Sequence, residues 1–239
     1  MLAPSAADDG LARWSPDGKK LVFVSERDGD TEIFVVTASG TALKRLTSNR
    51  LEDSFPTWSP DGKRIAFLRG TDDEARGLFV MRPDGRNARA ILFFDKNAED
   101  ACCAAWSPDG TRIAFVLNGD IAVVTADGGR LQTLTRGDDE NTSPSWSPDS
   151  RRIVFDSDRG DDWDLYVVPA RGGSVKRLTR TKGDDVWPDW SPDGRLIAFA
   201  AYEDSDFDSA VYVMNANGTG RTRVPLPVPA VFPDWQPLK

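Results

Sequence analysis

The chain has 239 residues, of which 39% are hydrophobic and 28% charged, with a formal net charge of −8 and no histidine. Such a composition supports a buried core, and an acidic chain without a basic block argues against nucleic acid or an anionic membrane surface as main partner. The missing imidazole excludes Ser-His-Asp and Cys-His nucleophiles and His-ligated metals, and leaves carboxylate chemistry and oxygen-ligated Ca²⁺.

Along the chain, the opening Met1 to Gly10 lacks a basic start and a long apolar stretch, so it does not read as a signal peptide. No apolar run is long enough to span a membrane. Trp14-Ser15-Pro16-Asp17-Gly18 then introduces a motif that recurs at Trp58 to Gly62, Trp106 to Gly110, Trp146 to Ser150 and Trp190 to Gly194, with a worn copy at Phe232 to Pro237. The Trp-to-Trp spacings are 44, 48, 40, 44 and 45, a period that suits a four-stranded propeller blade or a two-helix repeat. Local pattern decides for strands. Each motif is followed by a short β-branched run, such as Leu21 to Val24, Ile65 to Leu68 and Ile113 to Val116, whose Phe stands nine residues after the Trp. A second apolar run follows, such as Ile33 to Val36, Leu78 to Met81 and Leu165 to Val168. Tight turns at Asp84-Gly85, Asp127-Gly128 and Asn217-Gly218 supply positive φ, and a fourth strand follows in Lys44 to Thr47, Leu131 to Thr135 and Lys176 to Thr179. Both middle strands are apolar on both faces, as a blade between two other blades requires. The fold class expected is therefore all-β: a propeller of four-stranded antiparallel blades, with five full repeats (about 8–51, 52–99, 100–139, 140–183 and 184–228) and the inner strand of a sixth (229–239). Residues 1–239 form one domain. A closed five-bladed ring is the alternative.

The Trp-Ser-Pro-Asp-Gly repeat, with its Ile-Ala-Phe-like and Tyr-Val-Met-like strands, resembles the TolB-type β-propeller repeat from about Ala7 to Leu238. Similar repeats occur in the propellers of tricorn-like and dipeptidyl-peptidase-like proteins. The resemblance implies six blades, a periplasmic or extracytoplasmic setting, and a non-catalytic role in binding a protein at the channel mouth. It implies, as alternatives, the gating propeller of a prolyl-oligopeptidase-like peptidase whose catalytic domain is absent here. A carboxylate-dependent glycosidase using Asp189 and Asp234 is a further alternative. No nucleic acid, no catalytic residue and no membrane span is expected.

The motif residues themselves read as architecture: Pro and Gly set the turn, Asp bonds its backbone and Trp packs between blades. A second periodic feature suggests a site. Six residues before each motif Trp stands an acid (Asp8, Glu52, Asp100, Glu140 and Asp184), thickened by Asp9, Asp53, Glu99, Asp139 and Asp185. These positions lie in the loops entering each inner strand, so they gather at one mouth of the channel. There a negative ring would take a protein or basic peptide, or else each carboxylate caps its own loop. Phe55, Trp187 and Phe232, three residues before their Trp, are candidate aromatic anchors or interblade packing; Leu11, Cys103 and Ser143 are their counterparts. The alternate acids Asp28, Asp30 and Glu32, then Asp156, Asp158, Asp161, Asp162 and Asp164, then Asp204, Asp206 and Asp208 read as solvated hairpin loops. Weak Ca²⁺ binding is the alternative there, and no other cofactor is expected. Cys102 and Cys103 are expected to be two small packing residues, because neighbouring strand side chains point to opposite faces and a bridge between them would be strained; a vicinal disulfide or a reactive thiol is the alternative. Asn141-Thr142-Ser143 and Asn217-Gly218-Thr219 match glycosylation sequons.

Overall fold

The computed structural model describes residues 9–70, 76–95, 98, 101–202, 209–226, 233 and 235. Its strands form five four-stranded antiparallel sheets, each paired in plain chain order. The first blade comprises β1 (Asp9–Trp14), β2 (Lys20–Ser25), β3 (Glu32–Thr37) and β4 (Lys44–Arg45). The second has β5 (Asp53–Trp58), β6 (Ile65–Arg69), β7 (Gly77–Met81) and β8 (Arg89–Phe93), and the third β9 (Ala101–Trp106), β10 (Arg112–Leu117), β11 (Asp120–Thr125) and β12 (Leu131–Thr133). The fourth has β13 (Asn141–Trp146), β14 (Arg152–Ser157), β15 (Asp164–Pro169) and β16 (Lys176–Arg177), and the fifth β17 (Asp185–Trp190), β18 (Leu196–Tyr202), β19 (Ser209–Asn215) and β20 (Thr222–Arg223). There is no helix among the described residues, and so none that could cross a membrane.

The first strands β1, β5, β9, β13 and β17 touch one another in succession and form the innermost layer, while each fourth strand pairs at the outer edge of its own sheet. Between consecutive blades lie separate apolar clusters. The Phe nine residues after each motif Trp is at their centre, with Phe67, Phe115, Phe155 and Phe199 all fully buried. Each is worth roughly 3 kcal/mol of burial. Every junction also involves the motif Trp. Trp58, Trp146 and Trp235 donate Nε1–H to the carbonyls of Arg13, Ala105 and Asp189 at 3.3, 3.0 and 3.1 Å, in each case the residue before the preceding blade's Trp. Arg64, Arg112 and Arg152 lie over the rings of Trp106, Trp146 and Trp190, each Arg belonging to the preceding blade.

The motif's turn is a closed local network. Ser15 Oγ donates to Asp17 Oδ1 at 2.7 Å and accepts from Lys20 N at 2.9 Å, and Ser59, Ser107, Ser147 and Ser191 repeat this. The serine hydroxyl is the first cause that holds Asp17, Asp61 and Asp149 below the ordinary carboxylate range. Ser150, standing where the other motifs have Gly, keeps φ 58° and accepts Asp109 N at 3.0 Å.

The fourth strands are shorter than the sequence suggests. After Arg45, Gln132's strand and Arg177, the chain leaves the ladder because a threonine hydroxyl replaces the next strand carbonyl. Thr47, Thr135 and Thr179 Oγ1 each accept from Ile33, Ile121 and Leu165 N at 2.9 Å.

Candidate functional site

In an up-and-down blade the β1–β2 and β3–β4 turns lie at one end and the β2–β3 and blade-to-blade loops at the other. The acids ahead of each inner strand therefore share an end with the Asp28–Glu32 and Asp158–Asp164 loops.

Of the five expected rim acids, Asp8 and Asp100 lie outside the described residues, as do Phe232, Asp234, Glu99, Asp204, Asp206 and Asp208. Glu52 and Glu140 immediately precede β5 and β13. Both are exposed, and their carboxylates make no hydrogen bond or salt bridge among the described residues. Asp184 is half-buried and caps its surroundings, accepting Trp163 N at 3.1 Å. The next position inward behaves differently. Asp53 is fully buried in a two-pronged pair with Arg69, at 2.7 Å for both prongs, and Asp185 and Asp9 pair with Arg221 and Arg27 at 3.2 and 2.9 Å. Each of these arginines also stacks on its blade's aromatic pair: Arg27 on Phe23 and Phe34, Arg69 on Phe67 and Phe79, and Arg221 on Phe199 and Tyr212. Arg159 makes the same clamp over Phe155 and Tyr166 with Asn141 as its partner. The acids thus divide into an inner set paired with arginine and an outer set in which Glu52 and Glu140 face solvent while Asp184 caps Trp163 N. The arginine clamp was not foreseen. Its signal is an acid five residues before the Trp (Asn141 in blade four) matched by an Arg after β2 in blade one and after β14 in blade four, at the end of β6 in blade two, and before β20 in blade five.

A β-bulge interrupts every inner strand, and the residue three before the Trp sits in it with positive φ: Leu11 52°, Phe55 49°, Cys103 64°, Ser143 50° and Trp187 54°. A bulge re-aims one side chain, and bulky residues rarely adopt this conformation. Phe55 is half-buried against the cluster between blades two and three, and Trp187 meets Tyr202 edge-on at 6.0 Å. The bulge also corrects the cysteine expectation. Cys102 and Cys103 are joined in a disulfide, because the left-handed backbone at Cys103 breaks strand alternation and turns both sulfurs to one side.

The second acid set is not a row of solvated loops. Asp28, Asp30 and Glu32 converge on one guanidinium, Arg45, at 2.9, 3.5 and 2.7 Å, and Glu32 is buried. Asp164 is buried at the start of β15 between Thr179 and Arg177. Asp158 accepts Glu140 N at 2.8 Å. No cluster of three metal-ligating side chains occurs among the described residues. Asp156 belongs to strand β14, where its equivalents are Val24, Leu68, Val116 and Ala200. Burial is the main cause that raises its carboxyl to about 6; Thr142 Oγ1 donates to Oδ2 at 2.7 Å and Oδ1 has no hydrogen bond. The sequon Asn141 is 1% exposed and bound to Gly119 O at 2.6 Å, which removes it as a surface acceptor. Asp189 accepts from Ser145 Oγ at 2.9 Å and from Trp235 N at 3.3 Å, a structural position.

The family model described as the TolB beta propeller domain matches residues 6–103 and 97–224. The chain belongs to the TolB β-propeller family. The propeller is 58% identical over 36 residues to the Tol-Pal system protein TolB of Syntrophus aciditrophicus (strain SB), a stretch covering 15% of this chain and 8% of that protein. It spans far less than two thirds of that curated relative's length. Among solved structures it is similar to a putative TolB from Agrobacterium tumefaciens, with TM-score 0.77 and 25% identity over 92% of this chain and 81% of that one. A puromycin-hydrolyzing peptidase of Mycobacterium tuberculosis shares the fold, with TM-score 0.72 and 17% identity over 94% of this chain and 38% of that one.

Proposed function

We propose that the propeller is a non-catalytic scaffold that binds a basic segment of a protein partner at the acidic mouth of its channel. What carries this reading is the contrast between two acid positions. Asp9, Asp53 and Asp185 are consumed by arginines, whereas Glu52 and Glu140 remain exposed without partners at equivalent places. Asp8 and Asp100 hold the same sequence position, and Asp184, Phe55, Trp187 and Phe232 complete the proposed surface. Uncompensated carboxylates around one opening focus a negative potential that favours lysine- and arginine-rich chains. The resemblance to TolB supports a protein partner and a periplasmic setting. E52Q/E140Q should weaken binding of a fluorescein-labelled Lys/Arg-rich peptide about tenfold without shifting the melting temperature. Unchanged affinity, or loss of fold, would instead assign these acids to local capping.

The same reading includes six blades. Trp235 docks on Asp189 O as Trp58 docks on Arg13 O, which supports a further inner strand after blade five. Among the described residues β17 and β1 do not touch, although every other consecutive pair of inner strands does. A solution scattering profile fitted by a closed five-bladed ring would count against it.

A further inference from the structure

The turns after the third strands of blades two to five carry Asp84, Asp127, Arg171 and Asn217 just before their glycine. In blades two, three and five that glycine lies tight on the preceding blade. A Cβ at Gly85, Gly128 or Gly218 would collide with the backbone carbonyl of Leu46, Ile91 or Leu178. At Gly172 it would meet only the Gln132 side-chain nitrogen, at 2.8 Å. The junction between blades three and four is therefore the loose one, and there a groove of about 460 Å³ opens beside a second lobe of about 420 Å³. Asp109, Arg112 and Arg171 line both lobes.

Charge is inverted at the same place. Lys44 Nζ reaches Asp84 O at 2.7 Å, and Asp84 and Asp127 are held low first by the Arg86 N–H and the Thr125 hydroxyl, with the Lys44 and Arg89 charges adding a smaller part. The corresponding pair in the loose junction is neutral Gln132 facing Arg171, with Gln132 Nε2 bound to Arg171 O at 2.9 Å. The two lobes hold Arg112, Arg130, Arg151 and Arg171 against Asp109 and Asp149. Arg112 is committed to structure, donating to Ser150 O at 2.6 Å over the Trp146 ring. Arg130, Arg151 and Arg171 are exposed, and their guanidinium groups make no hydrogen bond or salt bridge among the described residues.

We infer that this groove, at the end of the molecule opposite the acidic mouth, binds a carboxylate-rich peptide segment. Three free guanidinium forks match carboxylates in two-pronged geometry, and two connected lobes fit an extended chain rather than a point anion. Pro169, Ala170 and Val123 supply apolar walls for a backbone to lie on. The test is fluorescence anisotropy with a labelled Asp/Glu-rich octapeptide on the full chain. Wild type should bind, and more weakly as salt is raised. R171D, which restores the acid of blades two and three, should lower affinity about tenfold or more with an unchanged melting curve. R195D, at an exposed arginine of blade five, should bind as wild type does. Equal weakening by R171D and R195D would reduce the effect to net charge and overturn the inference. So would no binding by wild type, or displacement of the peptide by inorganic phosphate at equal concentration.

Discussion

Asp156 is the residue whose chemistry departs furthest from its sequence context. Read in a run of alternating acids it looks like a loop carboxylate, yet it occupies a strand position where other blades have aliphatic side chains. Its native carboxyl is raised to about 6 from 3.8, so the folded state binds the proton more tightly than the unfolded chain. The resulting cost is absent below about 3.8, grows as pH rises, and is complete above about 6. At about 1.4 kcal/mol per unit it amounts to roughly 3 kcal/mol at neutral pH. D156N should therefore be more stable than wild type at pH 7 and indistinguishable from it near pH 4 in urea unfolding. Equal stability across that range would show that the carboxylate is satisfied when charged. The run misled because Asp158, Asp161 and Asp162 do lie outside strands, while Asp156 and Asp164 fall on the adjoining strand ends. Two residues along the chain, across a strand end, separate a buried acid from one in the loop.

At the scale of the element, the strands were legible and the irregularities were not. The Phe nine residues after each Trp fixes which face of the second strand is central, and turn chemistry bounds each run, so the blades could be traced without coordinates. The inner-strand bulge could not. Positive φ is usually announced by Gly or Asn, and here it falls on Leu11, Phe55, Cys103, Ser143 and Trp187, which share no side-chain property. The tertiary register imposes it, and the Cys102–Cys103 bridge follows from it. The arginine clamps were hidden for another reason: the separation of acid and Arg varies widely, from Asp53–Arg69 to Asp185–Arg221. The turn glycines, by contrast, make a graded prediction. G128A forces a β-carbon onto the Ile91 carbonyl at φ 89° and should cost more than about 2 kcal/mol. G172A has a similar φ of 86° but meets only a movable side-chain end, so it should cost about 1–2 kcal/mol. Chemical denaturation of the two variants orders them, and the reverse order would refute the loose junction between blades three and four.

For the whole molecule, stability is a sum over junctions rather than the property of one centre, since each cluster belongs to a neighbouring pair of blades. Protection should follow that layout. β1 is exposed from Asp9 to Arg13, while β5, β13 and β17 are largely covered. Hydrogen exchange should therefore be fastest in β1 among the inner strands and slowest in β6, β10 and β14. Uniform protection of all inner strands would mean that the ring opens only as a unit. Charge too is distributed over the whole: the exposed Glu52 and Glu140 stand at one end and the groove of Arg130, Arg151 and Arg171 at the other.

The tryptophan junction has a further consequence. The indoles of Trp58, Trp146 and Trp235 donate to the carbonyl just before the preceding blade's indole, and an arginine of the preceding blade covers Trp106, Trp146 and Trp190, so each such repeat carries a plug at one edge and a socket at the other. A gene segment of a single period encodes a part that fits between any two copies of itself. Nothing in the joint counts how many parts there are. Lengthening or shortening such an array by duplication or loss needs no new interface to be invented, only a change in curvature that the ring as a whole can absorb.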